Sequence, residues 1–254
     1  MTATTKNVNR GTRSASFGSL APLTNVLMFT GMMDRVASRH SSLPGMGAFT
    51  GFSGDGKTSA ATYAANKTQA YYIEVGSTWT QAKFCQALSI ELGIPPKGTI
   101  AAMVDGIISN LAITQRPLII DEFDHVVNRK YVETVREIHD KSGAPIILIG
   151  EEMLPDKLRQ WERFHNRVMY WEQSQPCDLG DADILCTIYA PGIEVAPDLL
   201  QKIVDQANGN TRRIAVNIDR ARELAELEGW KKIDLAKWGK QPFFTGASPA
   251  TRRR

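Results

Sequence analysis

Cysteine is scarce in these 254 residues, and Cys85, Cys177 and Cys186 are too few and too scattered for a disulfide framework or a C-x-x-C metal site. Long apolar runs are missing as well, and the polar, small-residue-rich N-terminus carries no hydrophobic segment ahead of a cleavage site. Together these absences argue against a secreted disulfide scaffold and a helical membrane protein, so no membrane partner and a cytoplasmic location are expected. Charge of one sign is also in short supply. A net charge of +3 sets up no whole-molecule field that announces a polyanion. The basic residues that matter are local: Lys231, Lys232, Lys237, Lys240 and Arg252 to Arg254 near the C-terminus, and Lys6, Arg10 and Arg13 in the N-terminal arm. Flexible basic ends of this kind suit sequence-independent phosphate contacts.

Against that plain background stands GFSGDGKT, Gly51 to Thr58, which fits G-x-x-x-x-G-K-[ST]. Gly51, Gly54 and Gly56 let the backbone turn its N–H groups inward around a phosphate, with no Cβ in the way. Lys57 reaches the β- and γ-phosphates as a point charge, Thr58 offers a hydroxyl to Mg²⁺, and the helix that starts here aims its positive end at the anion. The expected nucleotide contacts are Gly51, Ser53, Gly54, Asp55, Gly56, Lys57, Thr58 and Ser59, and the expected cofactors are ATP and Mg²⁺.

Residues 1–20 hold little to bury and are expected to form a disordered arm. Apolar spacing predicts one or two helices over 23–39, a strand at 46–50, a helix to about Lys67, a strand at 70–75, and helices at 79–92 and 100–113. Unbroken apolar runs at 117–120 and 145–149 read as strands buried in a parallel sheet, separated by a helix from about 130 to 141. A charged helix is expected from Gly150 to about His165, then a last strand at 168–171. Beyond Gln175 the pattern predicts helices at 181–189, 197–206 and 211–228 and no further strand. The reading is therefore an α/β core over 21–175 with a parallel sheet flanked by helices, a helical lid over 176–240, and a basic tail over 241–254.

The strand PLIIDEFD ends in Asp121 and Glu122, which supply what a phosphate loop needs as its partner. Asp121 at the strand tip can hold the metal shell, and Glu122 can polarise a water for in-line attack. Where a polar γ-phosphate sensor is usual, the next strand ends in Gly150, Glu151 and Glu152, so no sensor is assigned. Arg163 and Arg167, in ERFHNRV, each read either as a finger reaching a neighbouring subunit or as a surface arginine paired with Glu162. Arg212 and Arg213 fall in the first turn of a helix opened by Gly209-Asn210, where the dipole disfavours them and an anion would compensate.

The set GFSGDGKT, LIIDE, ERFHNRV and GNTRR followed by a helical lid resembles the AAA+ ATPase superfamily. Within it, the compact lid, the LIGEE turn, the ERF segment and the PPKGT loop look like the target-selection ATPases of transposition, the phage Mu B protein and the transposon ATPases. The resemblance covers about residues 23–238. It implies an ATP-hydrolysing protein that binds duplex DNA without sequence preference, assembles on it as a homo-oligomeric filament or ring, and delivers it to a transposase. By the same resemblance, Glu122 and Lys57 carry catalysis with Arg163 or Arg167 in trans, Thr58 and Asp121 hold the metal, and Arg212 or Arg213 is the lid arginine. DNA would meet the loop holding Lys97, Gly98 and Thr99, where a lysine, an amide and a helix start form a phosphate grip; Arg129 and Lys130 are further contacts. A replicative helicase loader is the alternative within the superfamily, and a small-molecule kinase is disfavoured by the acidic pair and the lid.

Overall fold

The computed structural model describes residues 23–247. The arm expected over residues 1–20 and the terminal Arg252 to Arg254 lie outside them. In chain order the core holds α1 (Thr24–Ala37), β1 (Met46–Thr50), α2 (Lys57–Thr68), β2 (Tyr71–Glu74), α3 (Gln81–Glu91), α4 (Ile100–Thr114), β3 (Leu118–Asp121), α5 (Asp124–Asn128), α6 (Val132–Ser142), β4 (Ile146–Gly150), α7 (Leu154–Leu158), α8 (Glu162–His165) and β5 (Val168–Gln173). The five strands form one sheet in the order β2-β3-β4-β1-β5, and every neighbouring pair runs parallel.

Side chains alternate across a strand, and both faces of this sheet are covered. Leu118, Ile120, Ile146 and Leu148 join one hydrophobic cluster with α3, α4 and α6. Ile119, Ile147 and Ile149 join a second with α1 and α2, where the small Ala60, Ala61 and Ala64 let α2 sit close to its neighbours. The unbroken apolar runs of β3 and β4 follow from this, since neither face can be polar. At the sheet edge, the free Tyr72 N–H is taken by Glu91 Oε1 at 3.1 Å, so β2 does not offer that donor to another strand.

The remaining chain forms α9 (Leu179–Tyr189), β6 (Glu194–Val195), α10 (Pro197–Ala207), α11 (Thr211–Leu227), β7 (Lys232–Ile233) and α12 (Leu235–Trp238). The parallel pairing of β6 with β7 corrects the expectation of no further strand; at two residues each, these strands carry no periodicity to read. Helices α9 to α11 extend the second cluster, with Leu185, Ile203, Ile214 and Ile218 buried in it alongside Phe29 and Phe49.

Residues 24–37 form a single helix, one of the two alternatives expected there. Two other elements differ from expectation: the short α5 has no counterpart in the sequence reading, and the segment before β5 is broken. The helix expected over 150–165 is two short ones, because Leu154 and Leu158 are spaced for one helical face while Phe164 is not. The chain turns at Arg159 to Trp161 and thereby stacks Phe164 on Phe123 at 5.5 Å.

A polar knot joins α6 to the start of β1. Buried His139 accepts the Gly45 N–H at Nε2 (3.1 Å) and lies 3.2 Å from Asp140 Oδ1 through Nδ1. Burial pushes the His139 pKa below its ordinary 6.5. Burial also works against Asp140, but hydrogen bonds from Arg167, His139 and Arg136 hold its carboxyl below the ordinary 3.8. With a lowered folded-state pKa, the unfolded chain takes up the imidazole proton first, so the neutral form's contribution is complete above 6.5 and is lost as pH falls below it. The Asp140 contribution is lost only below 3.8. The melting temperature is expected to fall as pH is lowered from 6.5 toward 5, and His139→Gln should flatten that fall in a pH series of thermal unfolding.

Candidate active site

Strand β4 lies between β1 and β3, so the loop after β1 and the acidic pair after β3 flank the tip of β4 at Gly150. The gap is bridged by one hydrogen bond, from Thr58 Oγ1 to Asp121 Oδ2 at 2.9 Å. Asp121 is only 2% exposed and accepts two further donors, Tyr72 OH on Oδ2 at 2.9 Å and the Glu122 N–H on Oδ1 at 2.8 Å. Its orientation is thus set from three segments.

The loop is held from behind. At Gly51 a Cβ would lie 1.8 Å from Ser174 Oγ, and that hydroxyl donates to Asp55 Oδ2 at 2.7 Å. Asn25 of α1 ties the same loop to the end of β5, donating from Nδ2 to Asp55 O (2.9 Å) and Gln175 O (2.8 Å). Helix α2 opens with the Ala60 N–H on Gly56 O, which leaves the amides of Lys57, Thr58 and Ser59 without helical acceptors at the positive end of the helix. Lys57 Nζ donates to Gly51 O and Phe52 O at 2.7 and 2.8 Å. Burial lowers its pKa, and the charges of Asp55, Asp121, Glu122 and Glu152 oppose the shift.

From above, the N-terminus of α11 docks on the loop. Asn210 caps that helix by accepting the Arg213 N–H at 3.1 Å, and its Nδ2 donates to Ser53 O at 2.8 Å. The Arg212 N–H donates to Gly54 O at 3.0 Å. Gly54 is a glycine for two reasons: its φ is +91°, and a Cβ would sit 2.5 Å from Asn210 Nδ2. On the other side, Asp181 of α9 accepts from Thr24 N and Oγ1 at 2.9 and 3.1 Å, capping α1.

Glu122 adopts φ +55°, a left-handed conformation that an L residue takes at a cost of about 1 kcal/mol. Burial, then the charge of Asp121, raises its pKa above the ordinary 4.5, while His125 pulls the other way. A carboxylate made more basic in this way is better suited to accept a proton from water.

These elements enclose a cavity of about 530 Å³, a size suited to a small ligand. Its walls include Ser53, Gly54, Gly56, Lys57, Thr58, Ser59, Asp121, Glu122, Gly150 and Arg212. A smaller recess adjoins it, sharing Gly56, Ser59, Tyr189 and Thr211 and adding the apolar Leu23, Val26 and Leu185. The walls thus offer amides and a cation for phosphate, and an apolar slot for a base. The donors at the acidic end, a hydroxyl and carboxylates, are hard oxygens that suit Mg²⁺. Among the described residues no group of three or more His, Cys, Asp or Glu could hold a metal alone.

Not every residue singled out in the sequence lies in this cavity. Gly51 contributes a carbonyl to Lys57, and the Asp55 side chain is committed to Ser174. Arg213 lies against Gly246 in the C-terminal segment, so the two lid arginines are separated and only Arg212 lines the cavity. Arg167 holds Asp140 with Nε (2.7 Å) and its guanidinium NH2 (3.2 Å), whereas Arg163 is exposed, with no hydrogen bond or ion pair among the described residues. Neither pairs with Glu162. Lys97 and Gly98 lie outside the cavity, and Thr99 Oγ1 caps α4 by accepting the Ala102 N–H at 3.2 Å. Arg129 donates to Ser77 O at 3.0 Å, beside an exposed Lys130. At the sensor position, Lys157 bonds buried Asp124 at 2.6 Å, and Asp124 also accepts the Glu151 N–H at 2.8 Å. Sequence reading missed Asn25, Tyr72, Ser174, Tyr189 and Asn210; only Asn210, a helix-capping type directly before a helix, carried a readable signal.

Asn210→Ala removes both the α11 cap and the Ser53 contact, a loss of about 1 kcal/mol for the cap alone. Faster amide exchange over the first turn of α11 and several-fold weaker binding of a fluorescent ADP are expected. Unchanged exchange there would show that the docking does not depend on this side chain.

Residues 39–158 match the protein family described as an AAA domain. No curated protein matches the sequence. Among solved structures, the chain is similar to the ORC2 protein of Aeropyrum pernix in its ADPNP–ADP complexes, with a TM-score of 0.62, 15% identity, and coverage of 84% of this chain and 64% of that one. It is similar to the Aeropyrum pernix ORC1 protein in complex with DNA (TM-score 0.59, 17% identity, 87% of this chain, 67% of that one). Domain III of the Thermotoga maritima replication initiation protein DnaA is a third (TM-score 0.58, 18% identity, 89% of this chain, 94% of that one). The chain spans 64% of the length of the ORC2 protein. The fold is the α/β phosphate-loop core of the AAA+ ATPases, a five-stranded parallel sheet flanked by helices and followed by a C-terminal set of helices.

Proposed function

We propose that this chain is an ATP-hydrolysing AAA+ protein that grips duplex DNA without reading its sequence, assembles on it as a homo-oligomer, and delivers that DNA to a transposase. The observation that carries the nucleotide part is the joining of Thr58, Asp121 and Glu122 with the Lys57 loop in one cavity under Arg212. Thr58 and Asp121 would hold Mg²⁺, which supplies charge neutralisation on the phosphates. Lys57 and the amides opening α2 bind phosphate, Arg212 closes over it from the lid, and Glu122 orients a water and accepts its proton.

Assembly is supported by an arginine placed to act between subunits. Arg163, exposed and unpaired among the described residues, suits delivery into a neighbour's site, whereas Arg167 is held by Asp140. DNA contact is assigned to Lys97, Gly98 and Thr99, with Arg129 and Lys130; all five are exposed, and none is consumed by an ion pair among the described residues. Delivery to a transposase rests on the resemblance of the motifs. The similarity to DnaA domain III, a part of a replication initiation protein, favours a helicase loader as the second reading.

Labelled random-sequence duplex should bind tightly with ATP, less so with ADP, and more weakly as salt rises; Lys97→Ala should weaken binding uniformly across sequences and lower the salt slope by about one. Absence of duplex binding in every nucleotide state would favour the loader. ATP hydrolysis per subunit should increase with protein concentration and with DNA, and Arg163→Ala should abolish that increase, lowering the assembled rate by about a thousandfold or more, while leaving ATP binding intact. A rate indifferent to concentration would rule out a finger in trans.

A further inference from the structure

We propose that Tyr72 is a positioning residue for the metal-organising carboxylate: its hydroxyl fixes Asp121 so that a single acceptor site, on Oδ1, remains for a metal-bound water. The inference rests on the nucleotide and Mg²⁺ reading of the cavity and extends it to a residue outside the motifs.

An ionised carboxylate offers about four lone-pair sites. On Asp121, Thr58 Oγ1 and Tyr72 OH take both sites of Oδ2, each at 2.9 Å, and the Glu122 N–H takes one on Oδ1 at 2.8 Å. With the carboxylate 2% exposed, bulk water does not compete for the last site. The Thr58 hydroxyl gives its hydrogen to Asp121 and keeps its lone pairs for a cation, so the two contacts are compatible.

Tyr72 is suited to this role by its place in the sheet. It pairs in register with Ile119 of the adjacent strand, two residues before Asp121, and period-two alternation puts Ile119 and Asp121 on one face. The half-buried ring packs against the cluster that contains Ile119 and the α2 alanines, and the backbone N–H is held by Glu91. As a phenol, the Tyr72 hydroxyl donates its hydrogen to the carboxylate at 2.9 Å. A partner that orients a metal-organising group from outside the metal shell affects metal affinity by about tenfold or more when removed.

Tyr72→Phe keeps the ring and removes the donor. Mn²⁺ titrated into the 254-residue chain with ADP, and followed by electron paramagnetic resonance, should bind about tenfold more weakly in the variant. ADP affinity in EDTA should be unchanged, which also shows that the variant is folded. Tyr63→Phe, a hydroxyl loss on the same cluster with no bond to Asp121, should leave Mn²⁺ affinity unaltered. Equal or tighter Mn²⁺ binding in Tyr72→Phe overturns the positioning role while the nucleotide reading stands. An equal loss of ADP affinity in EDTA overturns it in favour of packing. A wild-type protein with no ADP-dependent Mn²⁺ site overturns the underlying reading, and this inference with it.

Discussion

The hydrogen bond between Thr58 and Asp121 joins two strands that do not touch. Strand β4 separates β1 from β3, and the phosphate loop and the acidic pair must close over its tip. The tip itself has no room for a side chain at Gly150, where a Cβ would lie 2.4 Å from Asp124 Oδ2 and 2.6 Å from Leu154 Cδ2. The closure also requires β4 to be rigid. Burial of all five of its residues, alternately against the two helical layers, provides this, because close-packed side chains transmit small displacements rather than absorb them.

The lid is part of the same construction. Its helices share a hydrophobic cluster with α1 and α2, and its polar contacts fall at helix ends: Asn210 on the phosphate loop, Asp181 on the start of α1. Helix N-termini leave amides that need acceptors: Asp181 takes the Thr24 N–H of α1, and Gly54 O on the phosphate loop takes the Arg212 N–H of α11, so each satisfies a donor while fixing an angle between segments. A ligand in the cavity would touch the loop, the acidic pair and α11 together, and its phosphate charge would be felt by both parts of the chain.

The arginines show how tertiary structure divides chemically equal residues. Arg163 and Arg167 lie four positions apart, yet one is free on the surface among the described residues and the other is bidentate on Asp140, within the knot that includes His139 and Arg136. Arg212 and Arg213 are adjacent, yet one lines the cavity and the other lies on the C-terminal segment, where buried Asn217 holds the Phe244 backbone through its N–H (2.8 Å) and C=O (3.0 Å). Consecutive residues on a helix point about 100° apart, so only one of such a pair can face a given wall.

By itself the sequence determined the phosphate loop, the acidic pair, the five sheet strands and the main helices, because each is written in local chemistry: glycine where a backbone must turn, apolar runs where two faces are covered, periodicity where one is. Tertiary structure alone decided the strand order, the β6–β7 pair, the break between α7 and α8, and the partners that set the site. Tyr72 reaches Asp121 across 49 positions and Asn210 reaches Ser53 across 157, and such pairings leave no periodic trace in a single chain. The break at Arg159 to Trp161 has the same origin, since it is imposed by where Phe123 waits for Phe164 and not by any helix-breaking residue in the segment.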